Sequence, residues 1–244
     1  MVIEEQIRFL LRVFQARLLN VVWGNYSTNP LLNYLVAVKK QLDTTHWPRK
    51  DHFNFFRKFE EPFFGVIIQV DCTAAYAKAK SLNTSFFLYY LHKSLVAANQ
   101  TEPFRYRISG DDVFVYDQVN ASPTINRPDG TFGFAYLDYH EHFETFQKRA
   151  ATVIEEVKNS TGLFPAVSGE NVIHYSSIPW LNFTSLSHAR NFSFGDSIPK
   201  ISFGKMTEEN GKRTMPVSVH VHHALMDGYH VGMFAELFQQ LLNE

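Results

Sequence analysis

The chain has 244 residues, 45% of them hydrophobic and 15% aromatic, with 23 phenylalanines that suit both a large core and apolar pockets. Its 23 basic and 24 acidic residues leave a net charge of −1, which excludes a nucleic-acid footprint and a polyanionic partner. The single cysteine, Cys72, excludes an intrachain disulfide framework, reads as a small core residue and suits a reducing cytoplasm; no apolar run approaches the ~18 residues of a membrane-spanning helix.

Residues 2–23 place Ile3, Ile7, Leu10, Leu11, Phe14 and Leu18 at helical spacing, which predicts an amphipathic helix docked on the body of the protein. Glu4, Glu5, Arg8, Arg12 and Arg17 interrupt the apolar run, unlike the uncharged centre of a secretory signal. Residues 25–30 read as a break, and 31–42 as a second helix. From Trp47 onward no linker, charge block or repeat divides the chain, so one domain is expected. Residues 51–60 read as a helix carrying Phe53, Phe56 and Phe59. The β-branched and aromatic run 63–70 predicts a strand, followed by Asp71 as cap of a helix over 74–82. A strongly apolar helix follows over 86–98. Strands at 105–108 and 113–116 flank Ser109-Gly110-Asp111-Asp112, a hairpin turn. Residues 131–137 read as a strand and 141–158 as a helix with acids early and Lys158 late. Strands are expected at 180–185, 201–204 and 215–223, and a closing amphipathic helix at 231–242. Helices and strands mix without strict alternation, which predicts a mixed β-sheet covered by helices, an α+β arrangement.

The stretch from Val217 to His230 reads V-S-V-H-V-H-H-A-L-M-D-G-Y-H. Strand alternation puts Val217, Val219, Val221 and His223 on one face and Ser218, His220 and His222 on the other. An imidazole on the apolar face needs a partner or a task, since burying it unpaired costs roughly 1–3 kcal/mol. Three readings compete: a structural histidine satisfied by backbone groups, a metal site drawing on His220, His222, Asp227 and His230, and a general base. The metal reading is weakened because His223 faces away from the other strand histidines and no cysteine or glutamate cluster completes a shell. Histidine suits the base role because its ordinary pKa is ~6.5, and the turn ending in Asp227-Gly228 can fix its backbone.

This stretch closely resembles the signature H-H-(Ala/Ser)-x-x-D-G-(Phe/Tyr)-H of the chloramphenicol acetyltransferases. The resemblance runs from Asp43 to the C-terminus and includes W-P-R-K-D-H-F-N-F-F near Lys50, R-Y-R-I-S-G-D-D-V-F-V-Y-D, and I-P-W-L-N-F-T-S-L at residues 178–186. The H-H-x-x-x-D-G core is shared with dihydrolipoyl acyltransferases and condensation domains, but this chain has no lipoyl module and is much shorter than a condensation domain. Gly-Tyr-His and Trp-x-Arg select the first family.

The resemblance implies the two-layer α+β sandwich of the coenzyme A-dependent acyltransferases, with residues 1–42 as a helical extension and 43–244 as the acetyltransferase domain. It implies transfer of acetyl from acetyl-coenzyme A to a hydroxyl of chloramphenicol, hence antibiotic resistance, in a ternary complex with no metal. His223 is then the base, Ser185 steadies the oxyanion, and Ser202, where threonine is usual, holds a water nearby. Asp227 pairs with Arg49 to prop the active-site turn, and Lys205 meets a coenzyme A phosphate. The family's trimer puts acceptor sites at subunit interfaces, with Phe55, Phe56 and Asn126 in the pocket; no nucleic acid or integral membrane association is implied, and the location is cytoplasmic. Phe56 replaces the usual tyrosine and Asn126 a usual aromatic, so a different hydroxyl acceptor is one alternative. A non-catalytic protein binding coenzyme A or a small molecule is the other.

Overall fold

The computed structural model describes residues 38–163, 169–192 and 195–244. The helix expected over residues 2–23 lies outside them. Residues expected to end a second helix instead form a short strand, β1 (Lys39–Gln41), paired with β4 (Asp112–Tyr116), which in turn pairs with β3 (Tyr106–Ser109). The ladder continues outside the strand, with Leu42 N donating to Val113 O at 2.8 Å and Asp117 N to Val38 O at 3.0 Å. A non-local edge strand thus overrides local helical spacing, and the body of the fold includes residues before the expected boundary at Asp43.

Helix α1 (Lys50–Phe56) stops earlier than its apolar spacing predicts, because Glu60-Glu61-Pro62 turns the chain into β2 (Phe63–Asp71). Asp71 Oδ1 then accepts from Thr73 N at 2.9 Å at the start of α2 (Thr73–Ser81). Ser85 caps α3 (Phe86–Gln100), which is buried along most of its length. Gly110, at φ +62°, makes the tight turn between β3 and β4. Strands β5 (Asn120–Asn126) and β6 (Phe132–Phe134) pair antiparallel and precede α4 (Phe143–Lys158). The next strand is β7 (Val172–Ser177), unread in the sequence. Residues 180–185, expected as a strand, are irregular: Ile178 N closes the ladder on Phe203 O, Pro179 follows, and Trp180 is 66% exposed. Strands β8 (Lys200–Phe203), β9 (Thr207–Glu209) and β10 (Lys212–His222) lead into α5 (Gly228–Leu242).

The main sheet has the order β2-β10-β8-β7-β5-β6, with β9 paired beside β10. It is mixed: β10 is antiparallel to β2 and β8, whereas β7 is parallel to β5 and β8. Its two faces differ in chemistry. One carries Val217, Val219, Val221, Ile201, Phe203 and Tyr175 toward α3 and α5, where Phe203 meets Tyr90 and Phe238. Phe234 of α5 stacks on Phe104 at 4.7 Å; such aromatic pairs contribute about 0.5–1.5 kcal/mol beyond burial.

Cross-strand register gives the other face a polar lining. His174 stands opposite Lys200, which stands opposite His220; Ser176 stands opposite Ser202, which stands opposite Ser218. His220 Nδ1 lies 2.9 Å from Ser218 Oγ, and its ring lies over Gly65, its partner on β2. A Cβ at position 65 would sit 2.2 Å from His220 Nε2. Gly65→Ala is therefore expected to displace the ring and lower stability by about 1–3 kcal/mol, read as a shifted urea midpoint. The double substitution with His220→Ala should recover part of the loss; an unchanged midpoint in Gly65→Ala alone would contradict this packing.

Candidate active site

Strand β10 ends at His222, and the chain turns sharply through Ala224, Leu225 and Met226, all fully buried. Leu225 N and Met226 N both donate to His222 O, at 2.9 and 3.1 Å, and Ala224 N donates to His222 Nδ1 at 3.2 Å. His223 stands at the corner. Its N–H donates to Pro62 O at 2.8 Å, which ties the turn to the start of β2. Its ring lies flat on Phe56, with centroids 3.9 Å apart and planes 7° from parallel, and leans on Phe64 at 4.6 Å. Its Nδ1 is buried without a hydrogen-bond partner among the described residues. The imidazole is thus oriented by packing between two phenylalanines.

The backbone beneath it is held by charge. Arg49 NH1 pairs with Asp227 Oδ2, and Arg49 NH2 donates to the carbonyl oxygen of His223 at 3.1 Å. Asp227 caps α5, accepting from Tyr229 N at 3.1 Å, while His230 Nδ1 lies 2.8 Å from Asp227 Oδ1. Partial burial works to raise the Asp227 carboxyl, but hydrogen bonding and charge from Arg49, together with His230, outweigh it and keep the group below its usual range. No hydrogen bond joins Asp227 to the His223 ring among the described residues; its influence passes through Arg49 to the His223 main chain. Asp227 and His230 are occupied in this cap, and no group of metal-ligating residues is assembled among the described residues.

Phe55 and Phe56 join this cluster, their rings 5.0 Å apart, with Phe55 60% exposed. The other expected residues lie elsewhere. Ser202 is fully buried on the polar face of the sheet, its Oγ without a partner among the described residues. Its register partner Ser218 precedes His223 by five residues on β10, a separation of about 17 Å along an extended strand. The imidazole also leans on Phe64, which shares the opposite face with its partner Val221. Ser202 and His223 of one chain therefore do not meet. Ser185 is exposed in the irregular segment after β7, and no hydrogen bond of it is found among the described residues. The hydroxyl that shares face and register with Ser202 is that of Ser176.

Asn126, exposed at the end of β5, lines a cleft of about 590 Å³ walled by Phe86, Phe87, Tyr90, Met206 and Met215. Lys205 is exposed between two of its lining residues, Gly204 and Met206. Met215 precedes His223 by eight residues on the same strand, about 26 Å when extended, so this cleft too is remote from the imidazole of its own chain. The sequence signal for Ser176 lies in the alternation of His174, Tyr175 and Ser176 after Val172-Ile173, which marks the strand that puts it beside Ser202.

A profile of the chloramphenicol acetyltransferase family matches residues 38–239. Chloramphenicol acetyltransferase 3 of Escherichia coli is 32% identical over 209 residues, covering 83% of this chain and 96% of that protein. The chloramphenicol acetyltransferase of Bacillus pumilus is 29% identical over 205 residues, covering 83% of this chain and 93% of that protein. A solved chloramphenicol acetyltransferase superimposes with a TM-score of 0.79 at 32% identity, covering 84% of this chain and all of that one. A probable dihydrolipoamide acetyltransferase from Listeria monocytogenes, at 11% identity and a TM-score of 0.59 over 91% of this chain and 95% of its own, shares the fold. With the imidazole, its Arg49–Asp227 support and the mixed sheet in place, these matches make the chain a member of the chloramphenicol acetyltransferase family.

Proposed function

We propose that the protein transfers an acetyl group from acetyl-coenzyme A to the hydroxyl of chloramphenicol or of a similar small alcohol, with His223 as general base. The observation that carries this reading is the fixed His223 corner: ring clamped by Phe56 and Phe64, carbonyl held by Arg49, amide held by Pro62. An imidazole whose plane is fixed by stacking and whose Nδ1 is buried suits proton abstraction at Nε2. Nε2 removes the hydroxyl proton as the oxygen attacks the thioester carbonyl. The tetrahedral intermediate then expels the coenzyme A thiolate, which takes that proton back from the imidazole. General-base assistance is worth ~10²–10⁴ in rate. The open apolar cleft beside Lys205 suits the pantetheine arm, with the lysine positioned for a phosphate.

A hydroxyl aimed at the developing oxyanion is drawn from the polar face. Ser176 fits better than Ser185, because it stands beside the unpartnered Ser202 while Ser185 is exposed and remote. Since His223 and these hydroxyls of one chain lie about 17 Å apart along β10, a second copy must supply one set. A homotrimer with active sites between subunits meets that requirement, and one buried cysteine suits the cytoplasm.

His223→Ala is expected to lower thiol release from acetyl-coenzyme A with chloramphenicol by at least ~10² while leaving the denaturation midpoint unchanged; near wild-type turnover would remove His223 from the mechanism. Refolding a mixture of inactive His223→Ala and Ser176→Ala chains should restore about a quarter of the wild-type sites by random assembly. No recovery would argue for a site built within one chain. Asp227→Asn is expected to cost about 1–3 kcal/mol at neutral pH. Because the Asp227 carboxyl titrates low, its contribution is present above the usual carboxylate range and is lost as pH falls through the lowered value. Wild type and variant should therefore converge in acid, and a gap that persists there would assign the loss to packing.

A further inference from the structure

The polar face of the sheet holds a second feature that proton transfer leaves unused. A cavity of about 200 Å³ is lined by Glu61, Phe63, His188, Arg190, Lys200 and His220, among others. The Arg190 guanidinium lies over the Phe63 ring at 3.7 Å and Lys200 Nζ at 4.6 Å. Arg190 pairs with Glu61, and Lys200 with Asp196. Nearby Arg107, 1% exposed, has no carboxylate partner among the described residues and donates to the carbonyl oxygens of Phe104, Tyr106, Glu170 and Val172. Three cations thus lie on this face, Arg190 and Lys200 each paired with a carboxylate and Arg107 held by carbonyl oxygens near the charges of Asp196 and Glu170.

Two polar nitrogens at this cavity are unspent. The Arg190 side chain is 9% exposed, and its Nε–H has no partner among the described residues; His188 Nε2 is likewise buried and unpartnered. With NH1 engaged by Glu61, the buried Nε edge of the guanidinium carries no hydrogen bond among the described residues, and a planar anion matches the geometry of that edge. Burial first, and then the neighbouring histidine and lysine charges, depress His188 to about 4, so added positive charge is disfavoured there until an anion arrives.

We propose that this cavity holds the carboxylate of the acyl acceptor, so that the preferred substrate is a hydroxy acid. Lys200 precedes Ser202 by two residues on the same face of β8, and His174 precedes Ser176 in the same way on β7. One such repeat spans roughly 7 Å, and a short aliphatic spacer between carboxylate and hydroxyl covers it. The identity of the acceptor rests on the proposed transfer reaction; binding of the carboxylate does not.

Two measurements test this on the full-length protein. In the first, propionate is titrated calorimetrically into wild type and into Arg190→Met and Arg190→Lys; binding is expected in wild type, weakened in Arg190→Lys and lost in Arg190→Met. In the second, thiol release is followed with linear ω-hydroxy acids of butyrate to hexanoate length and with their methyl esters. The acids should exceed the esters in kcat/KM by about 10- to 100-fold, with the preference collapsing in Arg190→Met. Esters used as well as acids, even with propionate bound, would overturn the acceptor assignment. If no alcohol releases thiol, the transfer reaction itself fails, and the titration alone decides the cavity: propionate binding that depends on Arg190 keeps the carboxylate site, and its absence removes it.

Discussion

The ion pair between Arg49 and Asp227 is the constraint on which the His223 corner depends. It joins the start of α1 to the cap of α5, and the same guanidinium reaches the carbonyl oxygen of His223. An arginine that is nearly buried and shared between a carboxylate and a peptide oxygen fixes direction as well as distance, because its donors form a rigid planar fork. The imidazole above it has no hydrogen bond to Nδ1 among the described residues, and two phenylalanine rings define its plane. Electrostatics therefore sets the main chain, and aromatic packing sets the side chain.

The sheet divides labour in a similar way. Its apolar face builds the core with α3 and α5, whereas its polar face gathers serine, histidine and lysine side chains in register. Polar groups buried on a sheet face are costly unless they are satisfied by one another or by a ligand. Most are paired here, as in Lys200 with Asp196 and His220 with Ser218. The exceptions, Ser202, His188 and the Nε of Arg190, all lie on this face or against it. Under the proposed reaction they are the groups that a bound substrate satisfies.

Legibility in the sequence followed the range of the interactions. The stretch from Val217 to His230 was readable because strand, turn and cap are contiguous, and alternation alone separated His223 from His220 and His222. The Arg49–Asp227 partnership joins the two ends of the fold, and only the family resemblance linked them. Residues 180–185 hold Trp180 and Phe183, an aromatic content that suggests a strand, but the β-branched Val172-Ile173 and pairing with β5 and β8 put the strand at Val172–Ser177. Lys39–Gln41 was misread for the same reason, since its partner Tyr116 lies far along the chain. The cavity beside Arg190 was invisible because its lining comes from β2, the segment after β7, β8 and β10.

Arg49 and Asp227 stand 178 positions apart. Every element from α1 to β10 lies between the two partners of this pair in the sequence. Closing so long a loop adds little to the equilibrium cost but slows the search, because loop entropy grows only logarithmically with length while folding rates fall with sequence separation. Because α5 starts at the Asp227 cap and buries Phe234 and Phe238, fixing the His223 corner and completing the core are a single closure of the chain.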